Sequence, residues 1–133
     1  MKKFCTALIL LFFIVFASAA NANDLTIHDK PRPAPTVEFL DSTGNKVTLE
    51  QYKGKFVLLN LWAKWCIPCV HEMPQLIEYS RKVGATLIAA SEDRMPIEKV
   101  QKYIDSKGWP MIAYADYRDA LLNQADVDGL PTT

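Results

Sequence analysis

The feature that most constrains this sequence is a nearly continuous apolar run that leads directly into two closely spaced cysteines. Residues 56–62 read FVLLNLW, which is typical of a strand that is covered on both faces in a parallel sheet. Cys66 and Cys69 follow almost at once, and Pro68 between them suits the first turn of a helix. We therefore expect a buried strand, the two thiols at its end, and a helix that runs to about Val83.

Patterns typical of strands and patterns typical of helices alternate along the rest of the chain. Because strand and helix patterns follow each other in turn, the sequence predicts an α/β domain with a central mixed, largely parallel sheet flanked by helices. The predicted elements are a hairpin from residues 36–40 and 47–49, strands at residues 87–90 and 111–114, a helix opened by Pro96 and ended at Gly108, and a short helix at residues 119–125.

The N-terminus has the layout of a targeting signal. Lys2 and Lys3 precede an unbroken apolar run at residues 7–17, and Ala20-Asn21-Ala22 matches a cleavage pattern. We expect residues 1–22 to be a secretory signal peptide, which implies a periplasmic or other extracytoplasmic location. The alternative is an uncleaved membrane anchor, since residues 4–20 reach the short limit for a span.

Export would leave two cysteines in the mature chain, because Cys5 lies within the signal. Thiols in oxidising compartments tend to be paired, so we expect a Cys66–Cys69 disulfide. The proline-rich residues 23–35 predict an extended entry segment, and residues 36–133 are expected to form one domain.

Composition excludes several classes of function. The 133 residues carry 15 basic and 15 acidic side chains, which gives no electrostatic case for nucleic-acid binding. Three cysteines and two histidines are too few for a zinc site built from paired motifs. Covalent haem attachment needs a histidine directly after the second cysteine, whereas Val70 stands there. A purely structural disulfide remains open, although so short a loop stabilises a fold weakly.

The expected junction gives the two cysteines different chemistry. Cys66 would lie at the helix N-terminus, where free backbone N–H groups and the positive end of the dipole stabilise a thiolate. Cys69, one turn later, would be shielded and able to attack a mixed disulfide formed on Cys66. The sequence thus predicts an attacking and a resolving thiol.

Three motifs carry a family resemblance. Residues 62–69, WAKWCIPC, resemble the active site of the thioredoxin superfamily, and Glu72-Met73-Pro74 resembles more specifically the exported TlpA/ResA-type thiol–disulfide oxidoreductases. Residues 129–132, GLPT, resemble the loop whose cis-proline faces the disulfide in that family. The resemblance covers about residues 34–133 and implies a thioredoxin-like fold.

The resemblance also implies roles for single residues. Glu72 resembles a glutamate that we expect to have a raised pKa and to relay a proton as the disulfide opens. Asn60 stands where cytosolic thioredoxins usually carry a buried aspartate, and it cannot titrate. Trp65, Pro68 and Pro131 are expected to contact the substrate chain. No metal or organic cofactor is required, since electrons move by thiol exchange.

The resemblance predicts an enzyme that exchanges electrons with protein disulfides. It favours a reductant, such as one in cytochrome c maturation, with protein thiol or disulfide clients and a membrane electron donor as partners. Three alternatives stay open. They are a peroxidase of the related peroxiredoxin-like branch, a non-enzymatic copper or other metal-binding module that uses Cys66, Cys69 and His71, and an inactive fragment.

The C-terminal end of the sequence differs from the family pattern. After Pro131-Thr132-Thr133 that pattern would continue with two strands and a closing helix, about 35–45 residues at typical element lengths. We therefore expect the domain to be incomplete and truncated, and residues 23–133 alone to fold only marginally, because a central strand would become an edge.

Overall fold

Five strands form one mixed sheet in the computed structural model, which describes residues 27–133. Residues 33–133 make up one compact unit. The expected signal peptide, its cleavage site and Cys5 lie outside the described residues. The elements are β1 (Phe39–Leu40), β2 (Lys46–Val47), β3 (Val57–Trp62), α1 (Ile67–Val83), β4 (Thr86–Ser91), α2 (Ile97–Ser106), β5 (Tyr114–Ala115) and α3 (Ala120–Gln124), with a 3-10 helix at Leu49–Tyr52. The strand order in the sheet is β2-β1-β5-β4-β3.

The parallel part of the sheet positions the cysteines. β3 and β4 pair in parallel over six residues, from Val57 opposite Thr86 to Trp62 opposite Ser91. β5 adds a further parallel pair to β4, while β1 is antiparallel to both β5 and β2. The carboxyl ends of β3, β4 and β5 therefore meet at one edge. The predicted α/β fold with a mixed, largely parallel sheet is confirmed.

Helix α1 closely matches the helix that the sequence predicts after the cysteines. Its buried side chains recur at helical spacing and face the sheet, and Gly84 ends it in the left-handed region with φ 69°. The Gly84 N–H donates to the carbonyl oxygens of Ser80 and Arg81, as is common at glycine-terminated helices. Pro74 lies inside the helix. The buried residues are Cys69, Met73, Ile77 and Ser80.

Three of the predicted strands are shorter than expected, since both strands of the hairpin and the strand predicted at residues 111–114 are each two residues long. The hairpin ladder ends at Val47, because Leu49 enters the 3-10 helix and the backbone turns locally. The third predicted strand covers Tyr114–Ala115 rather than residues 111–114. The Ala113 N–H donates to the Gln101 side chain and the Met111 N–H to the Trp109 carbonyl oxygen, so these groups do not join a ladder.

Within residues 27–133, no helix is both long enough and apolar enough to cross a membrane.

Candidate active site

The Cys66 side chain caps the N-terminus of α1. Cys66 has extended backbone angles, φ −82° and ψ 97°, and its sulfur accepts the Cys69 N–H at 3.4 Å. Its carbonyl oxygen accepts the Val70 N–H at 3.2 Å, the first bond of the helix. Pro68, in the first turn, has no N–H to leave unpaired. The structure thus places the Cys66 sulfur among the free donors at the positive end of the helix.

The two cysteines form a disulfide and differ in accessibility. The sulfurs are 2.05 Å apart and the Cα atoms 5.3 Å apart. Cys69 is fully buried and Cys66 keeps 5% of its surface exposed. Both belong to the core cluster that includes Trp62 and Met73. A molecule in solution can therefore reach the Cys66 sulfur and not the Cys69 sulfur.

An apolar rim surrounds the disulfide. Trp65 is 67% exposed and Ile67 is 71% exposed, although both side chains are large and hydrophobic. Pro68 is also exposed. Such a patch beside a reactive group is typical of a surface that meets another chain.

The predicted cis-proline lies on a segment that is tied to β3. The Leu130–Pro131 peptide bond is cis, and Leu130 packs against the core cluster that contains both cysteines. Thr132 and Leu61 exchange two backbone hydrogen bonds, of 2.8 Å and 3.3 Å, in an antiparallel bridge. The half-buried Pro131 is thereby held next to the strand that leads to the motif.

Glu72 contacts the residue that replaces the usual aspartate. The Asn60 amide nitrogen donates to Glu72 Oε1 at 3.2 Å and to Thr133 Oγ1 at 2.8 Å. Asn60 is fully buried and Glu72 is half-buried. Partial burial raises the pKa of Glu72, and the hydrogen bond from Asn60 opposes that rise. The direction agrees with the expectation for Glu72, and its role stays a prediction.

Two acidic residues of the β4–α2 loop are buried at the site, which the sequence did not indicate. The buried Asp93 accepts the Lys64 N–H at 2.9 Å and the Ser91 hydroxyl at 2.8 Å through Oδ2. One carboxylate thereby ties the end of β4 to the loop that precedes Cys66. The only available signal was position, since residues 91–93 directly follow a buried parallel strand.

Glu92 is the second buried acid. Glu92 is 7% exposed, and within the described chain neither carboxylate oxygen accepts a hydrogen bond from an N–H or O–H group. Desolvation, then the negative charges of Asp116 and Asp119, and last a side-chain hydrogen bond with Asp119, raise the pKa of Glu92 to about 8. Its backbone N–H donates to the Trp62 carbonyl oxygen at 2.8 Å, which fixes Glu92 at the end of β3.

Comparison with known proteins assigns the family. The model of the AhpC/TSA family matches residues 31–132, nearly all of the described chain. The chain belongs to the AhpC/TSA family. It is similar to the thiol-disulfide oxidoreductase ResA of Geobacillus kaustophilus, with 35% identity over 103 residues, 75% of this chain and 59% of the relative. The ResA of Bacillus subtilis is 31% identical over 103 residues, 75% of this chain and 57% of the relative.

Solved structures agree with this assignment to the AhpC/TSA family. The thioredoxin domain of a thiol-disulfide oxidoreductase from Bacteroides vulgatus superposes with a TM-score of 0.63 at 29% identity, covering 74% of each chain. A thio-disulfide isomerase from Thermus thermophilus gives 0.61 at 29% identity, covering 77% of this chain and 75% of the other. The resemblance to ResA-type proteins and the thioredoxin-like fold are confirmed. The chain spans less than two thirds of the length of the curated relatives it matches.

His71 is exposed on α1, and in residues 27–133 no group of three or more His, Cys, Asp or Glu side chains is placed to hold a metal ion.

The raised pKa of Glu92 predicts a pH-dependent stability. Between the ordinary value of 4.5 and about 8, the folded chain binds more protons than the unfolded chain, so stability falls as pH rises. We expect Glu92→Gln to raise the free energy of unfolding at pH 8 by on the order of 1–3 kcal/mol and to change it little at pH 5.

Urea denaturation of the full chain at both pH values measures this difference. Glu78→Gln is the matched control, because Glu78 is exposed on α1 and its replacement should act equally at both pH values. An equal effect of Glu92→Gln at pH 5 and pH 8 would show that Glu92 is not desolvated in solution.

Proposed function

We propose that this chain is an exported thiol–disulfide oxidoreductase that reduces protein disulfides through Cys66 and Cys69, as in cytochrome c maturation. The observation that carries the proposal is the helix-capping Cys66 sulfur, which is disulfide-bonded to a fully buried Cys69. The names of the ResA relatives support the reaction class, and the N-terminal apolar run supports export. The proposed location is the periplasm or another extracytoplasmic compartment, with an anchored form if the signal stays uncleaved.

The proposed reaction begins with the reduced chain. The Cys66 thiolate attacks one sulfur of a client disulfide, so that a Cys66–client bond forms and the client's other sulfur leaves as a thiolate. The Cys69 thiolate then attacks the Cys66 sulfur, which restores the Cys66–Cys69 disulfide and releases the second client thiol. Two electrons and two protons pass to the client, and a membrane dithiol donor would restore the reduced chain.

Glu72 is proposed to move the Cys69 proton. It lies three residues after Cys69 in α1, and side chains three apart share one helix face at about 5–6 Å between Cβ atoms. A carboxyl with a raised pKa can accept the thiol proton as Cys69 becomes the attacking thiolate and release it afterwards. Asn60, which donates to Glu72, would keep the carboxyl on that face.

Client binding is proposed at the apolar rim. Trp65 and Pro68 are exposed beside Cys66, and Pro131 has no N–H, so the client backbone would pair with the residues next to Pro131 on the cis-proline segment.

The disulfide between Cys66 and Cys69 favours dithiol exchange over the peroxidase alternative, since peroxide reduction needs a lone thiolate in its own pocket. The proposed chemistry requires no metal or organic cofactor.

Because the proposal makes Cys66 the attacking thiol and Cys69 the resolving thiol, it predicts which single-cysteine variant traps a mixed disulfide with a client. Reduced Cys69→Ser is expected to accumulate a stable mixed disulfide with a disulfide-containing client, because Cys66 attacks and nothing resolves the adduct. Cys66→Ser, the matched variant, should form at least tenfold less adduct, since Cys69 is buried. Non-reducing electrophoresis with mass spectrometry of the adduct measures both, and equal adducts from the two variants would contradict the assigned roles.

A reducing role predicts the potential of the pair. We expect the reduction potential of Cys66–Cys69 in the full-length chain to be about −270 mV or lower, the range of reducing thioredoxins. Equilibration with glutathione or dithiothreitol buffers, read by thiol alkylation, gives the value. A potential near about −120 mV would indicate an oxidant and overturn the direction proposed here.

Proton relay by Glu72 predicts a changed pH profile. Glu72→Gln is expected to slow disulfide exchange by about 10- to 100-fold and to shift the pH dependence of the rate, because the carboxyl can no longer take the Cys69 proton. Glu78→Gln, an exposed glutamate on the same helix, should leave both unchanged. The role is excluded if Glu72→Gln preserves the cysteine pKa values and the pH profile.

A further inference from the structure

A cavity of about 560 Å³ opens next to Cys66 and is lined by apolar side chains, by three acids and by two bases, Lys64 and Arg94. Trp65, which directly precedes Cys66, forms one side, and Leu130, which directly precedes Pro131, forms another. Leu122 adds apolar surface, and Glu92 and Asp119 supply carboxylates. A client chain that lay along the cis-proline segment would pass this opening with the residues that flank its cysteine.

Among the acids around the cavity, all but Glu92 accept a hydrogen bond from an N–H or O–H group, and the two bases of the lining, Lys64 and Arg94, have exposed side chains. Asp119 is paired with Arg94 at 3.0 Å, and Asp116 accepts the backbone N–H of Leu121. Asp93 accepts one hydrogen bond from the Lys64 N–H, in the loop that precedes Cys66, and one from the Ser91 hydroxyl at the end of β4. In the part of the chain that the structure describes, only Glu92 among these acids has both oxygens buried and without an N–H or O–H donor.

A buried carboxylate whose charged neighbours are other carboxylates is costly, and a cation is the group that removes the cost. We infer that this cavity binds a lysine or arginine side chain that flanks the client's cysteine, with the cationic group at Glu92 and the aliphatic stem against Trp65 and Leu130. The inference rests on the proposed function for the nature of the client. Long basic side chains suit such a site, because their stems are apolar and their charge can also face the Trp65 ring.

The remaining charges favour a cation over an anion. Asp116 and Asp119 from the β5–α3 segment and Asp93 on the β4–α2 loop face the same region as Glu92, and their negative charges repel an anion. Arg94 is bound to Asp119 and its side chain is largely exposed, while the Lys64 side chain is exposed on the motif loop. Neither base donates to Glu92 within the described residues.

Binding of a basic side chain to Glu92 is coupled to proton release. Near neutral pH, Glu92 holds a proton because its pKa is raised to about 8. A cation favours the charged carboxylate and expels that proton, so the affinity for a basic peptide rises with pH up to about 8, by at most about tenfold per pH unit.

Calorimetric titration with synthetic peptides tests the inference on the full-length chain. The probes are short peptides in which serine replaces the cysteine, flanked by lysine in one and by glutamine in its match, so that binding is measured without exchange. We expect the lysine peptide to bind at least tenfold tighter at pH 8. In buffers of different ionisation enthalpy at pH 7, it should release nearly one proton.

Glu92→Gln is expected to remove both the lysine preference and the proton release, while Glu78→Gln retains both. Equal affinity of the two peptides for the unsubstituted chain, or a lysine preference that persists in Glu92→Gln, overturns the inference. The comparison on the unsubstituted chain stands even if Glu92→Gln does not fold. Cysteine-containing versions of the peptides separate the two proposals, because absence of exchange contradicts the oxidoreductase function and leaves the binding result intact.

Discussion

The contact between the Cys66 sulfur and the Cys69 N–H, at 3.4 Å, is where the fold and the chemistry meet. It exists because β3 ends at Trp62, a short turn with exposed side chains follows, and α1 begins at Ile67. The sulfur therefore takes the position that serine, threonine or aspartate usually holds at a helix start. The free N–H groups there favour a negative sulfur over a neutral one. The same first turn buries the partner sulfur and thereby separates two chemically identical groups.

The carboxyl ends of the parallel strands assemble the rest of the site. β3 supplies the motif loop, β4 supplies Glu92 and Asp93, and the chain after β5 supplies Asp116 and Asp119. Asp93 accepts two hydrogen bonds through Oδ2 and fixes the loop, while neither oxygen of the buried Glu92 accepts one from an N–H or O–H group. The two adjacent acids therefore have different surroundings. Asp93 ties β4 to the loop that precedes Cys66, and Glu92 is a desolvated carboxyl beside an open cavity.

The sequence predicted the strands and helices that are determined by residues close together along the chain. β3, α1, β4 and α2 follow from apolar runs, helical spacing, prolines and glycines, and the cysteine junction follows from their order. The pairing of β1 with β5 was not predictable, because it joins residues far apart along the chain, such as Leu40 and Ala115. The Asn60–Glu72 contact and the burial of Glu92 were not predictable for the same reason. Both depend on how separate segments pack.

Pro74 gives the active-site helix an uneven backbone. Proline has no N–H, so the Val70 carbonyl oxygen, four residues earlier, lacks the donor that a regular helix would supply. The turn that carries both sulfurs is thus joined to the rest of α1 by one backbone hydrogen bond fewer than in a regular helix. When the S–S bond opens and the sulfurs move apart, this turn can adjust while the segment from Ile77 to Gly84 stays packed on the sheet, so the redox change remains a local event.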